Sequence, residues 1–264
     1  MIQRDYLIVG AGIGGATVCK TLREHDQKGS VTLVGNESAL PYYRPRLLED
    51  VLLSKKPNLD KISVLPSAWY ARNKIELRLE TLITQLNLER RMAVLNTGQV
   101  IEFRKACLAM GSRPRRPRVA GANLGGILYL RNLRDILALK EMAATQSSAI
   151  IIGGGLVAAE TASALHQLGL KVQILCRYPA LWQQWLDAET AQWLTETFHA
   201  NGIEVLAETL NGFEGKTVLR NIQTKSGNRY PTGLALMAGG VEPNLGLVAN
   251  TPLGTPNGTP VNDY

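Results

Sequence analysis

Cysteine is scarce in this sequence: only Cys19, Cys107 and Cys176 occur among 264 residues. They are widely spaced, form no CxxC pair or metal-ligand pattern, and their odd number does not suit a disulfide framework. Chemistry that needs two neighbouring thiols is therefore not expected, and each cysteine reads as a small buried apolar residue. Histidine is equally sparse, with three residues; His166 and His199 fall in helical patterns, and neither is given a catalytic role. Long apolar runs are also missing. Ala149–Ile152 and Leu234–Ala238 are far shorter than the roughly twenty residues that cross a bilayer, so no helical membrane span is expected. The opening MIQRDYLIVGAG runs into a strand and a turn without a positive n-region, an apolar h-region or a cleavage site. No targeting segment is expected, and the location reads as cytoplasmic.

Acidic residues are outnumbered: 29 Lys and Arg face 22 Asp and Glu, a formal charge of +7 with a pI near 9.4. Such an excess favours anionic partners without choosing among them. The densest basic stretch, GSRPRRPRV, holds Arg113, Arg115, Arg116 and Arg118, broken by Pro114 and Pro117. It lacks the aromatic interleaving of a single-strand binder. It reads as a solvated interdomain linker, and no nucleic acid partner is expected.

What the chain does contain is a repeat. Tyr6–Val9 is a strand pattern that enters GAGIGG, a helix follows to about His25, and Val31–Val34 reads as a second strand ending near Glu37. Further on, Ala149–Ile152 enters GGGLVAAE, a helix runs to Leu168 with Gly169 as its stop, and Val172–Leu175 follows. Each half then shows a hairpin signal, Asn96-Thr97-Gly98 and Ser226-Gly227-Asn228, and a returning apolar strand that ends in CLAMGSRP or ALMAGGVEPN. Two βαβ units with matching returns predict an α/β protein of two doubly wound, three-layer dinucleotide-binding domains, the second inserted in the first. The boundaries read as 1–117 for the first domain, with 241–264 returning to it, and 118–240 for the second. Residues 187–201 predict an amphipathic helix with Asp187 as N-cap, Gly202 past its end, and Trp193, Leu194 and Phe198 on one apolar face. Trp182 and Trp185 in LWQQW could shield a cofactor, but at three-residue spacing they read as packing residues.

The first turn has the spacing a pyrophosphate requires. Gly10 permits the tight turn, Gly12 lets the backbone approach the phosphates, and Gly15 allows close helix and strand packing. The N–H groups at the helix start, around Ile13 and Gly14, would face the anion. Glu37 lies about twenty residues on, where a carboxylate accepts both hydrogen bonds of a ribose diol. In the second turn Gly153 and Gly155 take the first two roles, Ala158 replaces the third glycine, and Leu156 and Val157 open the helix. The position equivalent to Glu37 falls at Cys176 and Arg177. With no acid there, Arg177 favours the 2′-phosphate of NADPH, with NADH the alternative.

These residues resemble the FAD-dependent pyridine nucleotide-disulfide oxidoreductase family, particularly its ferredoxin and rubredoxin reductase branch, over nearly the whole chain. LPYYRPRLLEDVL, Leu40 to Leu52, is similar to that branch's segment beside the flavin, with Arg44 and Pro45 at its Arg-Pro pair. Ala109, Met110 and Gly111 in LAMGSRPR, followed by Arg113, resemble the family's Ala-Thr-Gly turn over FAD, with Met110 where threonine is usual. Ile83 falls where the family holds the adenine by a backbone contact. Glu160 matches a glutamate facing the nicotinamide and flavin, and Gly240, Pro243 and Asn244 resemble the Gly-x-x-Pro-Asn return.

The resemblance implies FAD on the first turn and NADPH or NADH on the second. It implies hydride transfer to flavin and onward electron transfer to an acidic iron–sulfur or rubredoxin-type carrier. Glu49 stands where many ferredoxin reductases place lysine, so Glu49 and Glu160 are candidate catalytic carboxylates, each disfavouring the other's ionisation. The cysteine used by thiol-dependent members has no counterpart between Cys19 and Cys107. The final GTPVNDY resembles the stretch before the family's last FAD motif, so the chain reads as truncated before that motif and a C-terminal domain. The alternative expectation is a non-catalytic nucleotide-binding module or subunit. The sequence does not fix an oligomeric state.

Overall fold

A continuous apolar run along a strand must be covered on both faces, and the C-terminal end of the N-terminal strand, Leu7–Val9, is buried in this way. In the computed structural model, which describes residues 1–255 and 257–262, Leu7 and Val9 join one buried cluster with Val34, Leu95, Ile101 and Phe103. Ile8 joins another with Cys19, Val31, Leu33, Tyr70 and Ile75. Each fully buried Leu or Ile stabilises by about 1.5–3 kcal/mol relative to exposure.

The chain divides into two compact units. The first takes Met1–Tyr43, Asn58–Arg113 and the described residues from Glu242 onward. Its strands are β1 (Ile2–Val9), β2 (Val31–Val34), β3 (Ile75–Arg78), β4 (Ile83–Asn87), β5 (Met92–Leu95) and β6 (Val100–Leu108), with helices α1 (Ile13–His25) and α2 (Ser67–Arg72). They form one sheet in the order β3-β2-β1-β6-β5-β4. β1, β2, β3 and β6 are parallel, while β4 and β5 add antiparallel strands at one edge. Arg23, buried on α1, donates to the backbone carbonyls of Asn73, Asp26 and Gly29. It thereby satisfies chain reversals that would otherwise leave buried acceptors unpaired. The outgoing strand β7 (Ser112–Pro114) later pairs with the returning strand β16 (Val241–Pro243).

The second unit takes Arg44–Pro57 and Pro114–Val241. It contains β8 (Ile127–Tyr129), α3 (Leu133–Ala143), β9 (Ser148–Ile152), α4 (Leu156–Gln167), β10 (Lys171–Cys176), α5 (Ala188–Ala200) and β11 (Glu204–Ala207). β12 (Leu210–Gly215), β13 (Leu219–Thr224), β14 (Arg229–Pro231) and β15 (Ala235–Met237) follow, and β16 (Val241–Pro243) closes the return. A parallel sheet runs β11-β10-β9-β15-β8, and β12-β13-β14 form a separate sheet of antiparallel pairs. Both units thus have the doubly wound α/β plan.

Three sequence expectations change here. The segment Arg44–Pro57, assigned by sequence to residues 1–117, packs with the second unit. Lys140 on α3 donates its ammonium protons to the carbonyls of Val51 and Ser54, and Arg44 Nη1 donates to Arg131 O at 2.6 Å. Trp193 does not share the apolar face of α5; it is 64% exposed. The buried positions are Ala191 and Thr195, one turn apart, and Trp193 lies on the other side of that turn. Trp185, expected to pack, is 69% exposed. Asp187 does cap α5, accepting from Thr190 N–H at 2.9 Å. Of the residues assigned by sequence to the return at 241–264, Pro256, Asp263 and Tyr264 lie outside the described residues. Among the described residues, no helix is long and apolar enough to cross a membrane.

Candidate functional site

Both glycine turns lie where a parallel strand hands over to a helix, and each contains a position that excludes a side chain. At Gly10, φ is +115° and an added Cβ would stand 2.0 Å from Ala109 O. At Gly153, φ is +142° and a Cβ would stand 2.3 Å from Ala238 O. In both units the carbonyl belongs to the chain just beyond a strand next to the one feeding the turn. Glycine is required at both positions for φ and for space.

The next glycine begins the helix. Gly12 is the N-cap of α1, with φ −102° and ψ −168°, and Gly155 is the N-cap of α4, with φ −99° and ψ −173°. Neither has a side chain to cap the first N–H groups of its helix, an arrangement that suits an anion. Among the described residues nothing lies within 4 Å of where a Gly12 Cβ would stand. Ile13, Leu156 and Val157 in the two first turns are exposed; Gly14 is near Ala109, whose Cβ would be 3.7 Å from its own added Cβ. The third position differs between the halves. A Cβ on Gly15 would stand 2.0 Å from Gly10 O, whereas Ala158 fits fully buried.

Around the first turn, Ala109 N–H donates to Val9 O at 2.7 Å, and Gly111 turns with φ +66°. Asn244 fixes this turn twice, its backbone N–H donating to Gly111 O and its Nδ2 to Met110 O at 2.8 Å. Glu37 follows β2, and its Oε2 accepts from Tyr42 Oη at 2.6 Å. The backbone beside it belongs to Glu80 and Thr81, whose N–H groups donate to Glu37 O and Gly35 O. Thr81 was not singled out by sequence. Ile83 lies two residues further, on β4, paired with Leu95 and packed on the core. Arg113 is engaged by Glu242 at 2.7 Å.

Around the second turn, Arg177 follows β10 with its guanidinium 4.8 Å from the Tyr178 ring centroid. Trp185 reaches Gly155: its indole edge lies 3.4 Å from where a Cβ would stand. Gly240 has φ +98°, and its carbonyl accepts from Arg115 N–H at 3.0 Å. Glu160 on α4 has its pKa raised, first by partial burial and second by the charge of Glu49. Glu49 lies on a π-helical segment, Leu47–Leu52, in the same unit, opening just after Arg44 and Pro45. The second unit therefore contains Arg44, Pro45, Glu49, Glu160 and the Gly153–Gly155 turn, which sequence order had divided between two domains, and places Glu49 within electrostatic reach of Glu160.

The cysteines are free, and burial pushes the Cys19 thiol up to about 12. The burial that raises its pKa leaves Cys19 without thiolate character near neutral pH.

The chain is 32% identical over 237 residues to the ferredoxin–NAD(+) reductase component of a biphenyl dioxygenase system from Paraburkholderia xenovorans (strain LB400), covering 89% of this chain and 58% of that protein. It is 29% identical to an NADH-rubredoxin oxidoreductase of Clostridium acetobutylicum, covering 100% of this chain and 65% of that one. The crystal structure of a ferredoxin reductase from Rhodopseudomonas palustris superposes with a TM-score of 0.89 at 26% identity, covering 96% of this chain and 62% of that chain. The chain thus spans about three-fifths of the length of these relatives. With the pyridine nucleotide-disulphide oxidoreductase model matching residues 4–264, the chain belongs to that family.

Proposed function

We propose that this chain is the two-nucleotide part of an NAD(P)H-dependent flavoprotein oxidoreductase, with FAD on the first unit and NADPH or NADH on the second, delivering electrons to a rubredoxin- or ferredoxin-like carrier. The observation that carries the reading is the duplicated turn. Gly12 and Gly155 have nearly the same dihedral angles, leave helix N–H groups uncapped, and follow glycines pressed against a neighbouring carbonyl. Such a backbone accepts a pyrophosphate and little else of comparable charge and shape.

When bound, FAD supplies the conversion of a two-electron hydride into single electrons. The protein's part is placement. The start of α1 holds the flavin pyrophosphate, Glu37 receives the ribose hydroxyls, and Asn244 fixes the Met110–Gly111 turn. On the second unit, the start of α4 holds the nicotinamide nucleotide's pyrophosphate. Arg177 supplies the fixed cation that favours a 2′-phosphate. Glu160 and Glu49 set the charge beside the nicotinamide, and the raised pKa of Glu160 lets it hold a proton to higher pH than an ordinary glutamate. Relatives named for ferredoxin and rubredoxin support a small iron-protein acceptor. The net charge of +7 suits an acidic one. Use of NAD(P)H and the three unpaired cysteines agree with a cytoplasmic setting.

The purified chain is expected to be yellow with about one flavin per chain, and to bleach without oxygen on addition of NADPH or NADH. Colourless protein that still binds NADPH would leave a nucleotide-binding module in place of the enzyme.

A further inference from the structure

The second glycine turn has an aromatic neighbour with no counterpart at the first among the described residues. Trp185 is 69% exposed, yet its indole edge stands 3.4 and 3.6 Å from the Cβ position of Gly155, the N-cap of α4. At Gly12, the matching position of the first turn, nothing among the described residues comes within 4 Å.

The placement of Trp185 is built into the chain. Trp182 N–H donates to Gly154 O at 3.0 Å, and Trp185 and Leu186 N–H groups both donate to Trp182 O, at 2.8 and 3.1 Å. The turn is therefore tied to the glycine loop it covers. It is also costly. Trp182 is a bulky residue at φ +58°, a conformation disfavoured by about 1–2 kcal/mol. Its buried Nε1 has no hydrogen-bond partner among the described residues. Strain and an unpaired donor concentrated on one turn, with a large aromatic left in solvent at a helix N-terminus, are the pattern of a binding surface. The exposed Leu156 and Val157 extend the same helix start as apolar surface. The β10–α5 connection thus begins with Arg177 and ends near Trp185.

We propose that Trp185 is a contact residue of the second nucleotide site, its indole lying along the pyrophosphate and adjoining ribose of a bound pyridine dinucleotide. This rests on the nucleotide reading of that turn. An indole offers a flat apolar face to a ribose and one N–H to a phosphate oxygen, and adds little conformational entropy cost. The contact supplies affinity that the glycine backbone alone does not, and it is specific to the nicotinamide nucleotide because the flavin turn has no equivalent among the described residues.

The test is calorimetric titration of the wild type, Trp185→Phe and Trp185→Ala with NADPH and with 2′-phospho-ADP-ribose, which keeps the pyrophosphate and the 2′-phosphate and loses the nicotinamide. Trp185→Ala is expected to weaken both ligands by about tenfold, as loss of an aromatic contact does. Trp185→Phe should stay within about threefold and lose most of the ligand-induced quenching of tryptophan emission. Binding by Trp185→Ala that equals or exceeds wild type overturns the proposal alone. A loss confined to NADPH overturns the pyrophosphate contact. Wild type that binds neither ligand overturns the nucleotide reading and this proposal with it. If the alanine variant does not fold, quenching undiminished in Trp185→Phe is sufficient to overturn the assignment.

Discussion

The two glycine turns have the same backbone and different surroundings. Gly10 and Gly153 each press on a carbonyl just beyond a neighbouring strand, and Gly12 and Gly155 cap their helices with dihedral angles only a few degrees apart. In the first turn nothing among the described residues lies within 4 Å of the Gly12 Cβ position, and the turn is followed by a carboxylate, Glu37, held by Tyr42. The second is covered by Trp185 and followed by a cation, Arg177, over Tyr178. Shared backbone means both can hold a pyrophosphate. On the proposed reading, the differing side chains set which dinucleotide each turn takes and how tightly.

The largest effect should come from breaking what the turns share. Gly10→Ala places a methyl on a backbone oxygen at a left-handed φ, and about 3 kcal/mol or more of stability should be lost. Urea unfolding would measure this, and Gly153→Ala should behave alike. Next is the attachment of the Glu49 segment. Lys140→Met leaves the carbonyls of Val51 and Ser54 without their charged donor. A loss of about 1–3 kcal/mol is expected, with new proteolytic cleavage within residues 44–57. A stable, uncleaved variant would mean that the segment is held by its apolar residues alone.

The third prediction sharpens the difference between the turns. Arg177→Glu should lower the ratio of NADPH to NADH affinity by about tenfold or more and leave flavin content unchanged. An unchanged ratio would remove Arg177 as the reader of the 2′-phosphate. The smallest effect concerns Glu160. Its raised pKa means that the folded state holds the proton more tightly than the unfolded chain. The associated stability is complete below the ordinary glutamate value and is lost as pH rises through the higher folded value. Glu160→Gln should therefore be slightly more stable than wild type at neutral pH, by no more than about 0.5 kcal/mol for so exposed a group, and equal to it in acid. Thermal unfolding at the two pH values checks the sign. Glu49→Gln should move the Glu160 titration towards normal without abolishing the shift, since burial is the larger cause.

Features set by local backbone rules were legible in the sequence. β2 occupies Val31–Val34 as the apolar run indicated, the helix of the second repeat stops at Gly169 with φ +91°, and Asp187 caps α5. The chemistry of glycine, caps and alternation acts over a few residues, so a linear reading finds it. What sequence order hid depends on distant contacts. The Arg44–Pro57 segment belongs with the second unit because a lysine 89 residues from Val51 completes its carbonyls. Arg23 is buried because four carbonyls, those of Asn73, Asp26, Gly29 and Lys74, converge on it. Trp185 was discounted because three-residue spacing from Trp182 resembles a helical face; the left-handed turn at Trp182 sends the chain elsewhere. Thr81 carries no motif and is positioned only by the loop beside Glu37.

The central claim, one plan used for two different dinucleotides, is tested most directly by paired valine variants, with FAD and NADPH binding measured for each by titration calorimetry. Gly12 and Gly155 both have φ values that valine adopts, near −100°, so each substitution fills the anion space of one turn without straining the backbone. Gly12→Val should abolish FAD binding and leave NADPH binding within about threefold of wild type, and Gly155→Val should do the reverse. Loss of both ligands in either folded variant, or the opposite assignment, would contradict it.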